Sequence, residues 1–420
     1  MKHSVKFEKI VGGGKALGYI DTKPCFAAGP LPGEVAEVEI IKDKPGYVEA
    51  AVTRITTSSP MRTTIAEDHY LSCSPWQNVD YAFQLEQKQM ILAEAFGSPQ
   101  LQMPVLEMVG AAHTLGYRNK LEFSLKSSMS KLDLAFHARG SFEKLIALPA
   151  GCTLGSPDMN AAALKLAHAA HDLKLDGYIE TLEVRKSVAS GKLLGQIVLH
   201  QVPKRDFSDL VSAAFSGVIV SRLRGRNIHE QLWCAGETTL EEELCGNQLE
   251  YSYDSFFQTN VPMFQNILQS MLDSMPKQSR ILDIYGGVGT IGIAAAKFSR
   301  EVVGVEIDPA SVALATMNAR RAGLTNYTSV EARAQHIDPK LLENSECIVV
   351  DPPRAGLELR LLHQILDVGP AMIIYLSCNP ATQARDILLL SEKYGSRGVT
   401  GYDLYPGTLH LESLVVLERI

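Results

Sequence analysis

Residues 280–292 read RILDIYGGVGTIG, an apolar strand that runs through an acid into a glycine-rich turn and then a helical stretch. Three similar strands follow, with helical patterns between them. The four strands read RILDIY, EVVGVEI, CIVVDPP and AMIIYLS, and the helical stretches cover 289–298, 309–322, 358–367 and 380–394. This alternation predicts an α/β fold, a doubly wound parallel sheet with its ligand site at the carboxyl ends of the strands.

The turn after the first strand carries three glycines in the pattern G-x-G-x-x-G: Gly287, Gly289 and Gly292. Glu306 ends the next strand, where a carboxylate can bind a ribose diol, so a nicotinamide-dependent oxidoreductase has to be considered. However, Asp283 and Asp351 also lie at strand ends, where they would repel a pyrophosphate but suit a cationic sulfonium. The pattern therefore favours S-adenosylmethionine over a nicotinamide dinucleotide.

The third strand runs into Asp351-Pro352-Pro353-Arg354, where two prolines stiffen the turn and fix the aspartate at the sheet edge. A similar acid-Pro-Pro-aromatic turn marks methyltransferases that act on exocyclic amino groups of bases. Arg354 replaces the aromatic residue, which weakens that interpretation.

The fourth strand ends at Cys378, followed by Asn379 and Pro380. Asn379 is a favourable N-cap and Pro380 suits the first helical position, so a helix is predicted to begin directly after the cysteine. The positive end of that helix is expected to lower the pKa of the Cys378 thiol. Cys378 is therefore the candidate nucleophile, whereas a cysteine elsewhere is more typically a small buried hydrophobe.

A methyl donor beside a cysteine indicates methylation at carbon 5 of a pyrimidine. A thiolate that adds to carbon 6 places electron density on carbon 5, which can then accept a methyl group. A base must afterwards remove the carbon 5 proton so that elimination frees the cysteine. His410 and Glu412, just before the final apolar strand SLVVLERI, are the candidates from position alone.

The remaining chain suggests two further domains. Residues 1–57 contain short strands between glycine and proline turns, which predicts a small β-barrel in which the Gly12–Gly14 run is a hairpin tip. Residues 58–250 read as a central α+β region, with an amphipathic helix over 80–96 that we expect to pack on the methyltransferase domain, residues 251–420. Two basic clusters, 117–120 and 222–227, are candidate RNA contacts or solvated edges.

Composition limits the partners. The chain has 420 residues, 46% apolar, with 40 Lys and Arg against 47 Asp and Glu, a net charge of −7. A nucleic acid must therefore be held by a local basic face. No apolar run reaches the roughly 18 residues of a membrane span. Seven cysteines at irregular spacing indicate reduced thiols, and we expect a cytoplasmic monomer that has no membrane partner.

Taken together, the motifs resemble those of the RNA uracil-5-methyltransferases, which act on ribosomal or transfer RNA. The resemblance spans nearly the whole chain, and the N-terminal strands resemble the RNA-binding TRAM barrel. The motifs that carry it are 255–260 (SFFQTN), the glycine loop, 351–356 (DPPRAG), 377–380 (SCNP) with Thr382, Ala384, Arg385 and Asp386, and His410-x-Glu412.

The resemblance implies a role for each matched residue. Cys378 would be the nucleophile and Glu412 the base, whereas Asp283 would shape the glycine loop. The residues implied to contact S-adenosylmethionine include two glycines of the loop. They are Gln258, Tyr285, Gly287, Gly289, Thr290, Glu306 and Asp351. The alternatives are an RNA cytosine-5 methyltransferase, which usually needs a second cysteine where Asp351 stands, and a nicotinamide oxidoreductase.

Many members of the family resembled hold an iron–sulfur cluster on four cysteines. Only Cys73 lies in the corresponding segment, residues 67–76, and Cys152 corresponds to the distant ligand. Two thiolates cannot supply four ligands, so we expect no cluster and no metal site.

Overall fold

The computed structural model describes residues 2–128, 131–139, 141, 143–211, 213–224 and 229–420. The N-terminal strands close into a five-stranded barrel, as predicted. Alternate residues such as Val5 and Phe7 point into its core, because side chains along a strand alternate between faces. The barrel strands are Lys2–Ile10, Lys15–Ile20, Lys23–Ala28, Val35–Lys44 and Tyr47–Thr57.

The central region is built on a seven-stranded sheet, against which the helix Pro157–Asp172 packs its alanine-rich face. In spatial order the strands are His229–Gly236, Gly217–Leu223, Leu193–Leu199, Ile179–Lys186, Lys120–Ser127, Leu132–His137 and Leu145–Ala147. A 3-10 turn covers Ser208–Leu210, and a separate hairpin of Thr239–Leu244 and Asn247–Ser252 leads to the C-terminal domain.

The C-terminal sheet has nine strands, of which the first five in spatial order are parallel. That order is Tyr327–Glu331, Glu301–Glu306, Arg280–Ile284, Cys347–Val350, Met372–Ser377, Glu412–Arg419, Val399–Tyr402 and Val105–Val109, with Tyr394–Gly395 paired to the side of Glu412–Arg419. The last strand in sequence, Glu412–Arg419, is antiparallel to Met372–Ser377. The predicted doubly wound domain is therefore confirmed.

Helices cover both faces of this sheet and enclose two apolar layers. They are Val261–Ser274, Thr290–Ala296, Pro309–Arg321, Pro339–Glu343, Leu359–Val368 and Pro380–Leu390, with a 3-10 turn at Ala334–His336. Local caps fix where several begin: Asn260 accepts from the Met263 amide, and Asp308 accepts from the Ser311 amide.

The observed organisation differs from the expected division at residue 250. The strand Val105–Val109 belongs to the C-terminal sheet, where it pairs with Val399–Tyr402. The preceding helix, Tyr81–Phe96, also packs on this domain, and its fully buried Lys88 forms an ion pair with the buried Asp403. Pairing between segments so distant in sequence leaves no local periodicity, which is why the boundary could not be read from the chain.

The lengths of the helices can be compared with the length that is needed to span a membrane. Within the described ranges the longest helices, Tyr81–Phe96 and Pro157–Asp172, have 16 residues each. None of the helices searched is both long and apolar enough to cross a membrane.

A short segment connects the barrel to the rest of the molecule. It includes the helix Tyr70–Cys73 and is anchored by Arg62, whose guanidinium binds the fully buried Glu34 of the barrel. Glu34 also accepts from the Leu31 and Ser59 amides. These contacts hold the barrel against the segment that precedes the helix Tyr81–Phe96.

Candidate active site

Strand pairing places Cys378 and Glu412 side by side. Met372–Ser377 and Glu412–Arg419 are antiparallel, and Ser377 lies opposite Ser413. The next position along one strand is Cys378 and along the other Glu412, so the two candidate residues stand at adjacent strand ends. Glu412 is 4% exposed, whereas Cys378 is half-buried.

The loop that carries Asp351 and Arg354 is fastened to the helix that follows Cys378. The Arg354 carbonyl accepts hydrogen bonds from Asn379 Nδ2 at 2.8 Å and from Thr382 Oγ1 at 3.2 Å. Asn379 is the N-cap residue, as predicted, but its side chain makes this loop contact instead of capping the helix. The 351–356 motif and the 377–386 motif are thus one bonded unit.

Asp386, on the helix after Cys378, also binds this unit together. Its carboxylate accepts from the Leu357 amide and from the Tyr375 hydroxyl, each at 2.7 Å, and pairs with Arg385 at 2.7 Å. Gly356 has φ +79°, and a Cβ there would lie 2.6 Å from the Asp386 carboxylate. The close approach explains why glycine ends the motif.

Hydrogen bonds also shape the glycine loop. The Gly287 amide donates to Glu306 at 3.0 Å, and the Gly292 amide donates to Asp283 at 2.9 Å. Tyr285 has φ +71°, a left-handed conformation that is uncommon for residues other than glycine. The loop therefore brings Tyr285, Gly287 and Glu306 together at the carboxyl edge of the sheet, where ligands of such sheets bind.

The segment 255–260 is held by the central domain. Asn119 donates to the Gln258 carbonyl at 3.1 Å, and Arg185 donates to the Ser255 carbonyl at 2.7 Å. The side-chain oxygen Oε1 of Gln258 is buried without a hydrogen-bond partner. It is therefore a polar atom available to a ligand.

A cavity of about 350 Å³ opens over Cys378. Its lining includes Arg354, Cys378, His410 and, from the barrel, Gly12–Gly14. A second cavity of about 570 Å³ shares Gly13, Leu409 and His410 with the first and adds the basic residues Arg118, Lys120 and Arg139. The shared residues make the two cavities neighbours, and together the two cavities are called the groove.

Comparison with known proteins accounts for this arrangement. The sequence model of the family described as tRNA (uracil-5-)-methyltransferase matches residues 80–420, and that of the TRAM domain matches residues 4–53. The chain belongs to the tRNA (uracil-5-)-methyltransferase family. It is therefore an RNA (uracil-5-)-methyltransferase whose methyl donor is S-adenosylmethionine.

Individual relatives resemble this methyltransferase over their full length. An uncharacterized RNA methyltransferase of Caldanaerobacter subterraneus subsp. tengcongensis is 31% identical over 99% of this chain and 98% of its own. Another, of Lactiplantibacillus plantarum, is 29% identical over 97% of this chain and 94% of its own. The crystal structure of Pyrococcus abyssi tRNA (uracil-54, C5)-methyltransferase in complex with S-adenosyl-L-homocysteine covers 98% of this chain and all of its own, with a TM-score of 0.79 and 22% identity, and supports the fold.

The residues at the loop of this methyltransferase fit the cofactor. S-adenosylmethionine carries a positive sulfonium and a ribose diol, and the acids Asp283, Glu306 and Asp351 lie at neighbouring strand ends. Gln258 Oε1 and Asp283 Oδ1 are buried without a partner. An acidic, partly unsatisfied edge suits a cationic ligand that has no phosphate.

The expected lowering of the Cys378 pKa is wrong. Burial, Glu412 and Asp351 raise the pKa of the thiol to about 11, and only the Arg354 guanidinium acts in the opposite direction. The helix Pro380–Leu390 does begin after the cysteine. However, local sequence could not reveal that two acids from distant strands stand beside the thiol.

The carboxyls of the site also hold their protons more tightly than usual. Burial, with Asp283 nearby, raises the pKa of Asp351 to about 7. Burial and then Asp351 raise the pKa of Glu412 well above its ordinary value, partly offset by Arg354. A carboxylate that has a raised pKa is a stronger base once it is ionised.

Two features of the site were missed from sequence. Arg354 was noted only for the aromatic residue that it replaces, although its charge favours the Cys378 thiolate. The glycine tip of the barrel was read as a plain hairpin end, yet it lines the groove beside Cys378. A Cβ on Gly14 would overlap Leu409 Cδ1, which lies 1.5 Å from that position. Neither role could be read from the sequence, because the glycine run 12–14 and the turn 351–354 lie far apart along the chain and meet beside Cys378 only in the fold.

The two basic clusters have different environments. In 117–120, Tyr117 and Asn119 are buried, whereas Arg118 and Lys120 line the groove, where Lys120 pairs with Glu183. In 222–227, Arg222 and Arg224 both pair with Glu230, and residues 225–227 lie outside the described residues. The first cluster is therefore better placed to contact an RNA at the site.

Proposed function

We propose that this methyltransferase converts uridine in RNA to 5-methyluridine by a covalent route, with Cys378 as nucleophile and Glu412 as base. The observation that carries the proposal is the placement of both side chains at adjacent strand ends, where Cys378 lines a cavity large enough for a base. Arg354, in the same cavity, provides the positive charge that a thiolate requires.

The first step forms a bond between the Cys378 sulfur and carbon 6 of uracil. The thiol proton leaves to solvent, and the Arg354 guanidinium stabilises the thiolate that remains. The electron pair of the carbon 5–carbon 6 double bond moves onto carbon 5 and the neighbouring carbonyl as an enolate. When bound, S-adenosylmethionine supplies an electrophilic methyl group to carbon 5.

The last step restores the ring. Glu412 removes the proton from carbon 5, the electron pair re-forms the double bond to carbon 6, and the carbon 6–sulfur bond breaks. Cys378 leaves as the thiolate. The burial that raises the pKa of Glu412 makes it a stronger base and excludes water from the adduct.

We assign the cofactor to the carboxyl edge of the sheet. The proposed contacts are Gln258, Tyr285, Gly287, Gly289, Thr290, Glu306 and Asp351. Support comes from the hydrogen bond of the Gly287 amide to Glu306, the unpartnered Gln258 Oε1 and the acidic character of the edge. Glu306 is held by three backbone amides and is suited to a ribose diol.

The groove would hold the RNA strand on either side of the target base. Folded RNA buries its bases by stacking, so the uracil has to be turned out before Cys378 can reach carbon 6. The glycine tip allows close approach of a backbone, and Arg118 with Lys120 can bind phosphates.

The decisive experiment replaces Cys378 by Ala. The variant should lose methyl transfer to RNA. It should also lose the covalent adduct with RNA that contains 5-fluorouridine, which the wild type should accumulate because the fluorine on carbon 5 cannot be removed as the proton is. Binding of S-adenosylmethionine should be retained. Cys234→Ala, an exposed cysteine on the central sheet, is the matched control and should behave as wild type. Methyl transfer by Cys378→Ala would refute the covalent route.

Product analysis separates the alternatives. Nucleoside mass spectrometry should find 5-methyluridine, and 5-methylcytidine would favour the cytosine-5 reaction instead. Ribosomal and transfer RNA from cells that lack the gene should be compared, because loss of 5-methyluridine from one of them identifies the substrate.

A further inference from the structure

Four potential metal ligands converge outside the active site. Glu67, His69 and Cys73 come from the segment between barrel and helix, and Cys152 comes from a loop of the central domain. One ligand atom from each residue lies within 4.8 Å of all the others. From the sequence we expect no metal site, because Cys73 and Cys152 supply two thiolates alone; Glu67 and His69 are donors that this expectation leaves out.

Three of the distances between donors, all measured from Glu67, are close to those of a tetrahedral site. Glu67 Oε1 lies 3.2 Å from Cys73 Sγ and 3.7 Å from Cys152 Sγ, and Glu67 Oε2 lies 3.2 Å from His69 Nε2. Zinc bonds of about 2.0–2.3 Å give ligand–ligand distances of roughly 3.3–3.8 Å in a tetrahedral site. The cluster needs only small shifts to close around one ion.

The histidine supplies an independent observation. His69 is 8% exposed, and its Nε2 makes no hydrogen bond of good geometry although Glu67 is close. The ring packs edge-on against Phe136, with centroids 5.7 Å apart. His69 Nε2 is thus a buried nitrogen whose near partner is the Glu67 carboxylate, in poor hydrogen-bond geometry, and a metal ion between them would satisfy both groups.

Surrounding hydrogen bonds hold the donors in place. The Thr153 amide donates to Glu67 Oε2 at 2.8 Å, and the Gln77 side chain donates to Glu67 Oε1 at 3.2 Å. The Cys152 amide donates to Asn160 Oδ1 at 2.9 Å. Such outer contacts orient metal ligands in known sites.

We propose that Glu67, His69, Cys73 and Cys152 bind one Zn²⁺ in a closed four-coordinate site. Two thiolates, an imidazole and a carboxylate are ligands that suit zinc. Two thiolates are too few to hold a four-iron cluster. With all four positions filled by protein, the ion is structural. It ties the segment after the barrel to the central domain, beside the wall of the groove to which Cys73 and Cys152 contribute.

Metal analysis of the full-length protein tests the proposal. Protein purified without chelator should contain about one zinc per chain and no acid-labile sulfide. Protein stripped with a chelator and given Co²⁺ should show the intense visible absorption of tetrahedral cobalt with thiolate charge-transfer bands. Iron with sulfide, a Cys73–Cys152 disulfide by mass spectrometry, or failure to bind added Zn²⁺ would each overturn the proposal.

Variants locate the ion. Cys152→Ser and Glu67→Gln should each lower zinc affinity at least about tenfold, because even outer contacts are worth that much. Cys234→Ser is the matched control and should keep full zinc content. If Cys152→Ser does not fold, Glu67→Gln, which preserves shape and the contacts of the Gln77 side chain, decides the question. Unchanged zinc affinity in folded Glu67→Gln would exclude the carboxylate ligand and so the site as proposed.

Discussion

Burial and two neighbouring acids raise the pKa of Cys378 to about 11, so the proposed nucleophile begins the proposed reaction as a thiol. The thiolate fraction near neutral pH is then small, and any charge that stabilises it controls the rate. Arg354 is the residue placed to do so, since its guanidinium lowers the pKa of both Cys378 and Glu412. Charge at this position therefore matters more than the stacking surface found in the related turn.

The pH dependence of kcat/KM should reveal how Arg354 acts on the ionisation of Cys378. Both Cys378 and Glu412 act in the deprotonated form and both have raised pKa values, so kcat/KM should rise with pH from 6 to 9, about tenfold per unit where one group dominates. Arg354→Gln removes the charge that favours ionisation, so the rise should move to higher pH. Rates measured across that range on RNA check the prediction.

A matched variant tests whether the effect is local. Arg360 is exposed on the next helix, and Arg360→Gln should leave the pH profile in place. Equal displacement of the profile in both variants would mean that net charge, and not contact with Cys378, sets the thiol pKa.

Glu412 should be needed for release more than for attachment. In Glu412→Gln the carbon 5 proton cannot be removed, so methylated RNA should remain bound to Cys378 and turnover should fall by about 10²–10⁴-fold. Denaturing gels with radiolabelled methyl donor detect the adduct. Glu418→Gln changes an exposed acid on the same strand and should turn over normally. A free methylated product at the normal rate would remove Glu412 from the mechanism.

At the scale of elements, the glycine hairpin of the barrel forms part of the active-site wall. Its tip lines the same cavity as Cys378, and Gly14 lies against Leu409, just before the final strand. The RNA-binding barrel and the catalytic edge thus meet at a contact that leaves no room for a side chain.

Gly14→Ala should therefore disturb the groove. Its φ of +75° and its overlap with Leu409 make a side chain costly, about 1–2 kcal/mol for the backbone conformation alone. We expect kcat/KM for RNA to fall about tenfold with little change in S-adenosylmethionine binding. Gly12→Ala, where a Cβ meets nothing within 4 Å, should be close to wild type. Equal effects of the two substitutions would contradict a contact role for Gly14.

The whole molecule carries a net charge of −7, so attraction for RNA has to come from the groove and not from the overall field. Arg118, half-buried in the wall of the second cavity, is the cation best placed to meet a phosphate. Arg222 and Arg224 of the second basic cluster share one carboxylate, Glu230, which offsets one of their two charges.

Salt dependence of RNA binding tests this distribution. Affinity should fall as salt rises, and Arg118→Gln should reduce the slope of log affinity against log salt by about 1, as expected for one lost phosphate contact. Arg224→Gln is the control from the ion-paired cluster and should change the slope little. Filter binding over a series of salt concentrations distinguishes the two. A larger effect of Arg224→Gln would place the RNA beside Arg222 and Arg224 instead.

The amino-acid sequence alone determined the features that depend on neighbouring residues. Strand–helix alternation, the start of the helix at Pro380 and the glycine loop were predictable because periodicity, caps and positive φ are local properties. The motifs also carried the family and the candidate pair Cys378 and Glu412.

Only the tertiary structure decided what depends on the sum of distant contacts. It raised the Cys378 pKa by burial beside Glu412 and Asp351, and it inserted Val105–Val109 into the C-terminal sheet. It also brought Gly14 against Leu409 and the segment containing Glu67 against Cys152. Burial, field strength and contact between remote segments arise from packing in three dimensions, and they leave no pattern along the chain.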